Sequence, residues 1–310
     1  MPDELLDRVR ATGLLPAGAD VVVLLSGGRD SVCLLDVAVE LGCSARALHV
    51  NYGLRAEADD DEAHCRALCE RLGVALAVHR APRPEDAPGN LQAWARDVRY
   101  AAASEMAAGE LVAVGHTASD QAETVLYRLA ASPGRRALLG MQPRSGHLVR
   151  PLLTVTREET GAWCRARGLA WRDDATNASD AFARGRVRHG LLAALEAVDP
   201  RAAANVVRTA ELLREEADVL DVVVDAALAG RDRVSLLYLA DLPPALARLI
   251  VRRLAEAATG GLCGRVSGRL EEILALRDDG ALDVGDGARA VVSGGVLRFE
   301  ATPPLERRSP

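Results

Sequence analysis

Six consecutive residues, Ser26-Gly27-Gly28-Arg29-Asp30-Ser31, put two hydroxyls, two glycines, a cation and a carboxylate at one place in the chain. Glycines let backbone approach a ligand closely, and a helix start offers unpaired N–H groups and the positive end of its dipole. The natural guest is an anion, phosphate foremost. Ser26 and Ser31 can donate hydroxyl hydrogen bonds to it, and Arg29 can add a cation. Asp30 only accepts, so beside phosphate it must face Mg2+, a loop N–H or an arginine. A second group lies in GHTASDQAET, Gly115 to Thr124. There Asp120, Glu123 and Thr124 fall on one side of a helix's first turns, so two carboxylates can enter one cleft. Acids at a helix start also complement its dipole with no ligand involved. His116, just upstream, is either a proton acceptor or a structural residue ending a strand.

The elements around these groups explain how they could meet. Val21 to Leu25 is an all-apolar run, the pattern of a strand buried on both faces. Val32, Leu35 and Val39 then recur at helical spacing up to Gly42, a helix stop. The glycine loop thus joins a strand to a helix. It matches neither G-x-x-x-x-G-K-S/T nor G-x-G-x-x-G. The alternation continues with strands at Ala45–Asn51, Val74–His79 and Leu111–Gly115, and helices at Glu57–Leu72, Asn90–Ala107 and Thr117–Ala130. Thr156 and Glu159 suit a capping box before a further helix, and Leu169–Arg172 reads as a fifth, short strand. Repeated β–α units imply a doubly wound, mostly parallel sheet, whose ligands bind beyond the carboxyl ends of the strands where strand order reverses. SGGRDS, HVNYGLR (His49 to Arg55) and GHTASDQAET are such strand ends.

Composition limits the function classes. The chain has 310 residues, 49% hydrophobic, enough for one large or two ordinary cores. No apolar run approaches the roughly 20 residues of a membrane span, and the charged MPDELLDRVR is no secretory leader, so a cytoplasmic protein is expected. Six cysteines form no C-x-x-C pair and read as core residues; Cys65 and Cys69 share a helix face without a second pair to make a metal site. A net charge of −6 argues against a generally basic nucleic-acid binder. Yet Gln121 to Gly190 holds twelve arginines against six acids, a local +6. Arg135 and Arg136 in a Gly-Pro-bounded loop, and Arg184 and Arg188 one helical turn apart, suit contacts to nucleic-acid phosphates.

The blocks SGGRDS, HVNYGLR, NLQAWARDVRY (Asn90 to Tyr100), GHTASDQAET, LLGM, RPLL and WRDDATNASDAFARGRVRHGLL, in that order over roughly the first 195 residues, resemble the tRNA(Ile)-lysidine synthetase family. SGGRDS alone resembles the pyrophosphate-binding loop, or PP-loop, of enzymes that split ATP into AMP and pyrophosphate. The resemblance implies an adenine nucleotide alpha hydrolase-like α/β domain at residues 1–198, and a smaller, mainly helical tRNA-binding domain with a terminal hairpin at 199–310. It implies ligation of free L-lysine to the 2-position of the wobble cytidine in an isoleucine tRNA with a CAU anticodon, through an adenylated cytosine. ATP and Mg2+ are the implied cofactors, with Ser26 to Ser31 on the phosphates and Mg2+ arriving with ATP, Asp30 its one candidate protein ligand. Asp120 and Glu123 would bind the lysine ammonium, one of them or His116 accepting its proton. Arg55 would balance phosphate charge or grip the lysine carboxylate.

Three positions depart from the family pattern: Tyr52 where a second histidine is usual, Ala131-Ser132 in place of Arg-Gly, and Gly185 in place of Asn. They bear on tRNA contact and rate rather than on reaction class. A PP-loop tRNA thiolase and a catalytically silent tRNA-binding relative are the alternatives, and a homodimer is left open. After Asp199-Pro200 the texture becomes helical over Ala202–Ala227, Pro244–Ala257 and Val266–Leu276, then turns to a hairpin or small meander over Leu282–Glu300, as in a short form without a further appended domain.

Overall fold

A strand that must be apolar on both faces, with a helix following it on one side, starts the sheet. After α1 (Pro2–Ala11) come β1 (Asp20–Leu24), α2 (Arg29–Glu40), β2 (Ser44–Asn51), α3 (Ala58–Leu72), β3 (Ala75–Arg80), α4 (Leu91–Ala107), β4 (Leu111–Ala113), α5 (Ala118–Ala131) and α6 (Arg135–Leu138). β5 (Arg144–Ser145), β6 (Leu148–Val149), α7 (Arg157–Ala166), α8 (Ala183–Arg186), a π-helical turn (Val187–Leu192), α9 (Ala193–Val198) and α10 (Ala202–Leu228) follow. The computed structural model describes residues 2–54, 56–84, 90–132, 134–172 and 183–302.

The sheet runs β3-β2-β1-β4-β6-β5, parallel throughout except for the β5–β6 pair. Val21, Val23 and Leu25 share an apolar cluster with α2 and with Trp163 and Cys164 of α7, whereas Val22 and Leu24 cluster with Ala102, Ala103 and Ala107 of α4. Helices therefore cover both faces, and each buried valine contributes about 1.5–3 kcal/mol. The order reverses between β1 and β4, which places a crevice beyond their carboxyl ends.

Leu169–Arg172 is not a strand. The Leu169 N–H closes the end of α7 on the Cys164 carbonyl (2.8 Å), and the Arg172 N–H reaches the Gly27 carbonyl (3.0 Å), so the segment braces the glycine loop instead of joining a ladder. The fifth parallel strand is β6, two residues long and too short to show any period.

The compact units are residues 1–213 and 214–310, divided within α10. In the second, β7 (Arg233–Ser235), α11 (Leu236–Asp241), α12 (Pro244–Thr259), a 3-10 turn (Arg265–Arg269) and α13 (Leu270–Leu274) precede β8 (Gly280–Gly285), β9 (Ala288–Ser293) and β10 (Val296–Ala301). The antiparallel order is β7-β10-β9-β8, so the terminal meander forms and gains a strand from far upstream. Val266–Leu276 is not one helix: it splits at the 3-10 turn containing Gly268, where glycine weakens an α-helix by about 1 kcal/mol. Among the described residues no helix is long and apolar enough to cross a membrane. Five of the six cysteines are buried and Cys43 is half-buried.

Candidate active site

β1 hands the chain to α2 through a turn that only glycine can make. Gly27 has φ +82°, and a Cβ there would lie 3.2 Å from Cys65 Sγ. Both serines shape this loop from inside. Ser31 Oγ donates to the Gly28 carbonyl (2.8 Å) and accepts from the Ser26 N–H (3.2 Å), while Ser26 Oγ accepts from the Gly28 N–H (3.3 Å). His49 Nδ1, at the end of β2, donates to the Leu25 carbonyl (2.9 Å) and so ties two strand ends together. No side chain caps α2, whose N-cap is Gly28, so its first N–H groups face the loop as an anion cradle. The residues present fit a bound phosphate chain.

A second close approach brings the acids to that loop. At Gly115, just past β4, a Cβ would sit 3.0 Å from the Asp30 carbonyl oxygen, so β4 ends tightly against the first turn of α2 and any side chain there would push the two backbones apart. His116 follows, and α5 begins two residues later.

Asp30 is held by α7. Its Oδ1 accepts from Thr160 Oγ1 (2.5 Å) and Arg29 Nε (3.3 Å), and its Oδ2 lies 3.7 Å from Arg157 Nε. Arginine is thus the partner that meets the acceptor-only side chain. With both oxygens engaged, and no group of three His, Cys, Asp or Glu among the described residues able to hold a metal, the donor set does not fit a protein-built Mg2+ site. α7 is positioned by the expected capping box: the Thr156 N–H donates to Glu159 Oε2 (2.7 Å) and the Glu159 N–H to Thr156 Oγ1 (3.2 Å). It is pinned to α2 where Asp36 Oδ2 accepts from Trp163 Nε1 (2.8 Å) and pairs with Arg167 Nε (2.5 Å). Burial pushes the Asp36 carboxyl above its usual range although both partners favour the anion.

Asp120 and Glu123 share one arginine-lined cleft. Asp120 Oδ2 accepts from the Thr117 N–H (2.9 Å) and Oγ1 (3.0 Å), which makes it part of a capping box, while Oδ1 takes Arg157 Nη2 (3.1 Å). Burial opposes its ionisation, but Arg157 and the Thr117 N–H outweigh burial and hold the carboxyl below its ordinary value. Glu123, 3% exposed, receives both prongs of Arg188, Nε at 2.5 Å and Nη2 at 3.1 Å, with Arg157 Nη1 4.0 Å away. One guanidinium, Arg157, therefore bridges Asp30, Asp120 and Glu123. Gln121 fixes the helix from behind: fully buried, it donates to the Met141 carbonyl (3.0 Å) and accepts the Met141 N–H (2.7 Å).

The structure thus brings Asp30, Asp120 and Glu123 together and redirects Arg188. A guanidinium expected on phosphates instead forks onto Glu123, because a buried carboxylate must be paired. Burial disfavours the Arg188 charge, but the Glu123 hydrogen bonds more than offset it and raise the pKa. The π-helical turn at Val187–Leu192 carries this arginine, an irregularity common at functional sites. Arg135 and Arg136 are half-buried on α6, while Arg55 and the Arg184 side chain lie outside the described residues. Tyr52, one of the departures, has its own role: its hydroxyl donates to the Ala95 carbonyl (2.8 Å) and its ring packs 5.7 Å from Trp94. Sequence reasoning missed Arg157 and Thr160, whose one signal was their place on the first turn of a capped helix.

The sequence matches the PP-loop domain family over residues 8–195. It is 39% identical to the tRNA(Ile)-lysidine synthase of Solibacter usitatus, across 85% of this chain and 62% of that one. Identity to the Symbiobacterium thermophilum tRNA(Ile)-lysidine synthase is 38%, across 97% and 70%. The chain thus spans about three fifths to seven tenths of the length of these relatives. A U34-tRNA thiolase from Methanococcus maripaludis shares the fold, with a TM-score of 0.58 at 20% identity over 68% of this chain and 78% of that one. With a PP-loop in place and relatives of one name along most of its length, the chain belongs to the tRNA(Ile)-lysidine synthase family of PP-loop proteins.

Proposed function

We propose that this protein uses ATP to ligate free L-lysine to the 2-position of the wobble cytidine of an isoleucine tRNA with a CAU anticodon, giving lysidine, AMP and pyrophosphate. The observation that carries the reading is the convergence of Asp120 and Glu123 with the loop residue Asp30 on one guanidinium, that of Arg157.

The chemistry sets two demands. The cytosine O2 is a poor leaving oxygen, so it first attacks the α-phosphorus of ATP and expels pyrophosphate. The ε-amine then attacks C2, and AMP leaves with the oxygen. Loop N–H groups and the α2 N-terminus are suited to hold the pyrophosphate. Thr160 and Arg157 fix the Asp30 carboxylate and, through it, the first turn of α2.

The second demand is an unprotonated amine. With an ordinary pKa of about 10.4, freeing the lysine amine at pH 7 costs roughly 4.6 kcal/mol. Asp120, held as a strong anion by Arg157, recognises the ammonium but is a weak base. Glu123 or His116 takes the proton. The ammonium replaces a guanidinium already on these carboxylates, so its arrival exchanges one cation for another and no acid is left bare. Arg135, Arg136 and Arg184 contribute phosphate contacts to the tRNA. The test is AMP release from ATP by the purified protein, with lysine and the CAU-anticodon tRNA each omitted in turn. AMP formation that needs both the tRNA and lysine is the expected result; AMP release that continues unchanged without lysine refutes the reading.

A further inference from the structure

Three arginines gather where, among the described residues, no carboxylate meets them. Because β3 feeds α4, the first turns of α4 lie at the carboxyl edge of the sheet, and Arg150 follows β6 at that same edge. Arg96 and Arg99 form no ion pair with a carboxylate among the described residues. Their guanidinium carbons lie over the Tyr100 ring, 5.3 and 5.6 Å from its centroid. Arg150 is only 7% exposed; Nη1 donates to the Gln142 carbonyl (2.7 Å), while its buried Nε has no partner. Burial lowers its pKa, the neighbouring Arg96 charge adds to this, and the Tyr100 hydroxyl beside it opposes both.

A buried cation with an unused donor is costly unless an anion completes it. Arginines resting on an aromatic face keep their charge and stay partly desolvated, ready for a planar oxyanion. We propose that Arg96, Arg99 and Arg150, arranged around Tyr100, form an oxyanion-binding site that takes either the α-carboxylate of the amino-acid substrate or a backbone phosphate of the RNA. The proposal rests on the ligase reading above. It divides the work between two charge sites, Asp120 and Glu123 for an ammonium and the α4 arginines for an oxyanion. Lysine has both groups; RNA has only the second.

The experiment compares wild type with Arg99→Ala and Arg96→Ala; Arg150→Ala serves only if it folds. The first arm measures AMP release at graded L-lysine and graded cadaverine, which lacks the carboxylate. The second measures retention of an anticodon stem–loop RNA across a salt series and needs no turnover, so a loss of affinity there supports the site independently of the ligase reading. If the site reads the carboxylate, wild type prefers lysine by roughly 10- to 150-fold and the variants lose most of that preference. If it reads a phosphate, the preference survives while RNA affinity falls and the salt slope drops by about one unit per lost contact. Either result supports the oxyanion site. Variants that match wild type in lysine preference, RNA affinity and salt slope overturn it.

Discussion

The arginines of the crevice and those of α4 are chemically identical and differently employed. Arg157 and Arg188 lie on carboxylates: Asp30, Asp120 and Glu123 are each within 4.0 Å of a guanidinium nitrogen. Arg96 and Arg99 lie on a tyrosine ring. The first setting is a closed network in which every buried charge has a partner; the second leaves positive charge unspent. Local positive charge in a sequence therefore does not identify a nucleic-acid surface. The +6 of Gln121–Gly190 includes Arg188, which serves a buried acid of its own chain, whereas Arg96 and Arg99 lie outside that segment and meet no carboxylate among the described residues.

The difference can be broken by mutation. The largest effect is expected for Asp30→Ala, which frees Thr160 and Arg157 and loosens the loop: AMP formation falls by about 100-fold or more while RNA retention stays within about twofold. Near-wild-type turnover would remove the loop from the account. Arg157→Ala should destabilise the protein by about 2–3 kcal/mol in urea titrations, because it strips a partner from three carboxylates at once, whereas Arg99→Ala should change stability by less than about 0.5 kcal/mol. Equal losses would erase the distinction between the two settings.

Gly140→Ala tests what holds the acid helix. Gly140 has φ +61°, and a Cβ there would lie 2.6 Å from Gln121 Oε1, so the substitution should cost about 1–2 kcal/mol and disturb lysine use. An unchanged urea midpoint would mean that the Gln121–Met141 clamp yields freely. The smallest effect concerns Glu62, at the edge of the sheet. Hydrogen bonds from Arg66, then Asn51 and Arg80, lower its pKa from 4.5 to about 2. A depressed folded-state pKa gives stability that is present above the unfolded value and lost as pH falls through the folded one. Stability should therefore decline between about pH 4.5 and 2, and Glu62→Gln should flatten that decline; an identical acid limb in the mutant would contradict the assignment.

Much of the fold was legible because its signals are local. An apolar run, two glycines and an amphipathic helix specify β1, the loop and α2, and two of the strand ends named from the pattern, SGGRDS and GHTASDQAET, meet at the β1–β4 crevice, Gly115 against Asp30. The partners of those strand ends were not legible. Thr160 lies 130 positions from the carboxylate it touches, and the fork from Arg188 to Glu123 spans 65; neither link has a period or a spacing. The error at Leu169–Arg172 has the same origin. Extended, partly apolar residues looked like a strand, but the Gly27 carbonyl that claims Arg172 is invisible from the local sequence.

Glu123→Gln is the sharpest probe of the proposed recognition of the lysine ammonium by Asp120 and Glu123, because size and an acceptor are kept while the charge is lost. L-lysine and ATP are titrated separately against the variant with the CAU-anticodon tRNA saturating. The lysine requirement should rise roughly 10- to 150-fold, with little change for ATP. A rise for ATP alone, or equal rises for both, would contradict the account and return these carboxylates to nucleotide binding or to the scaffold.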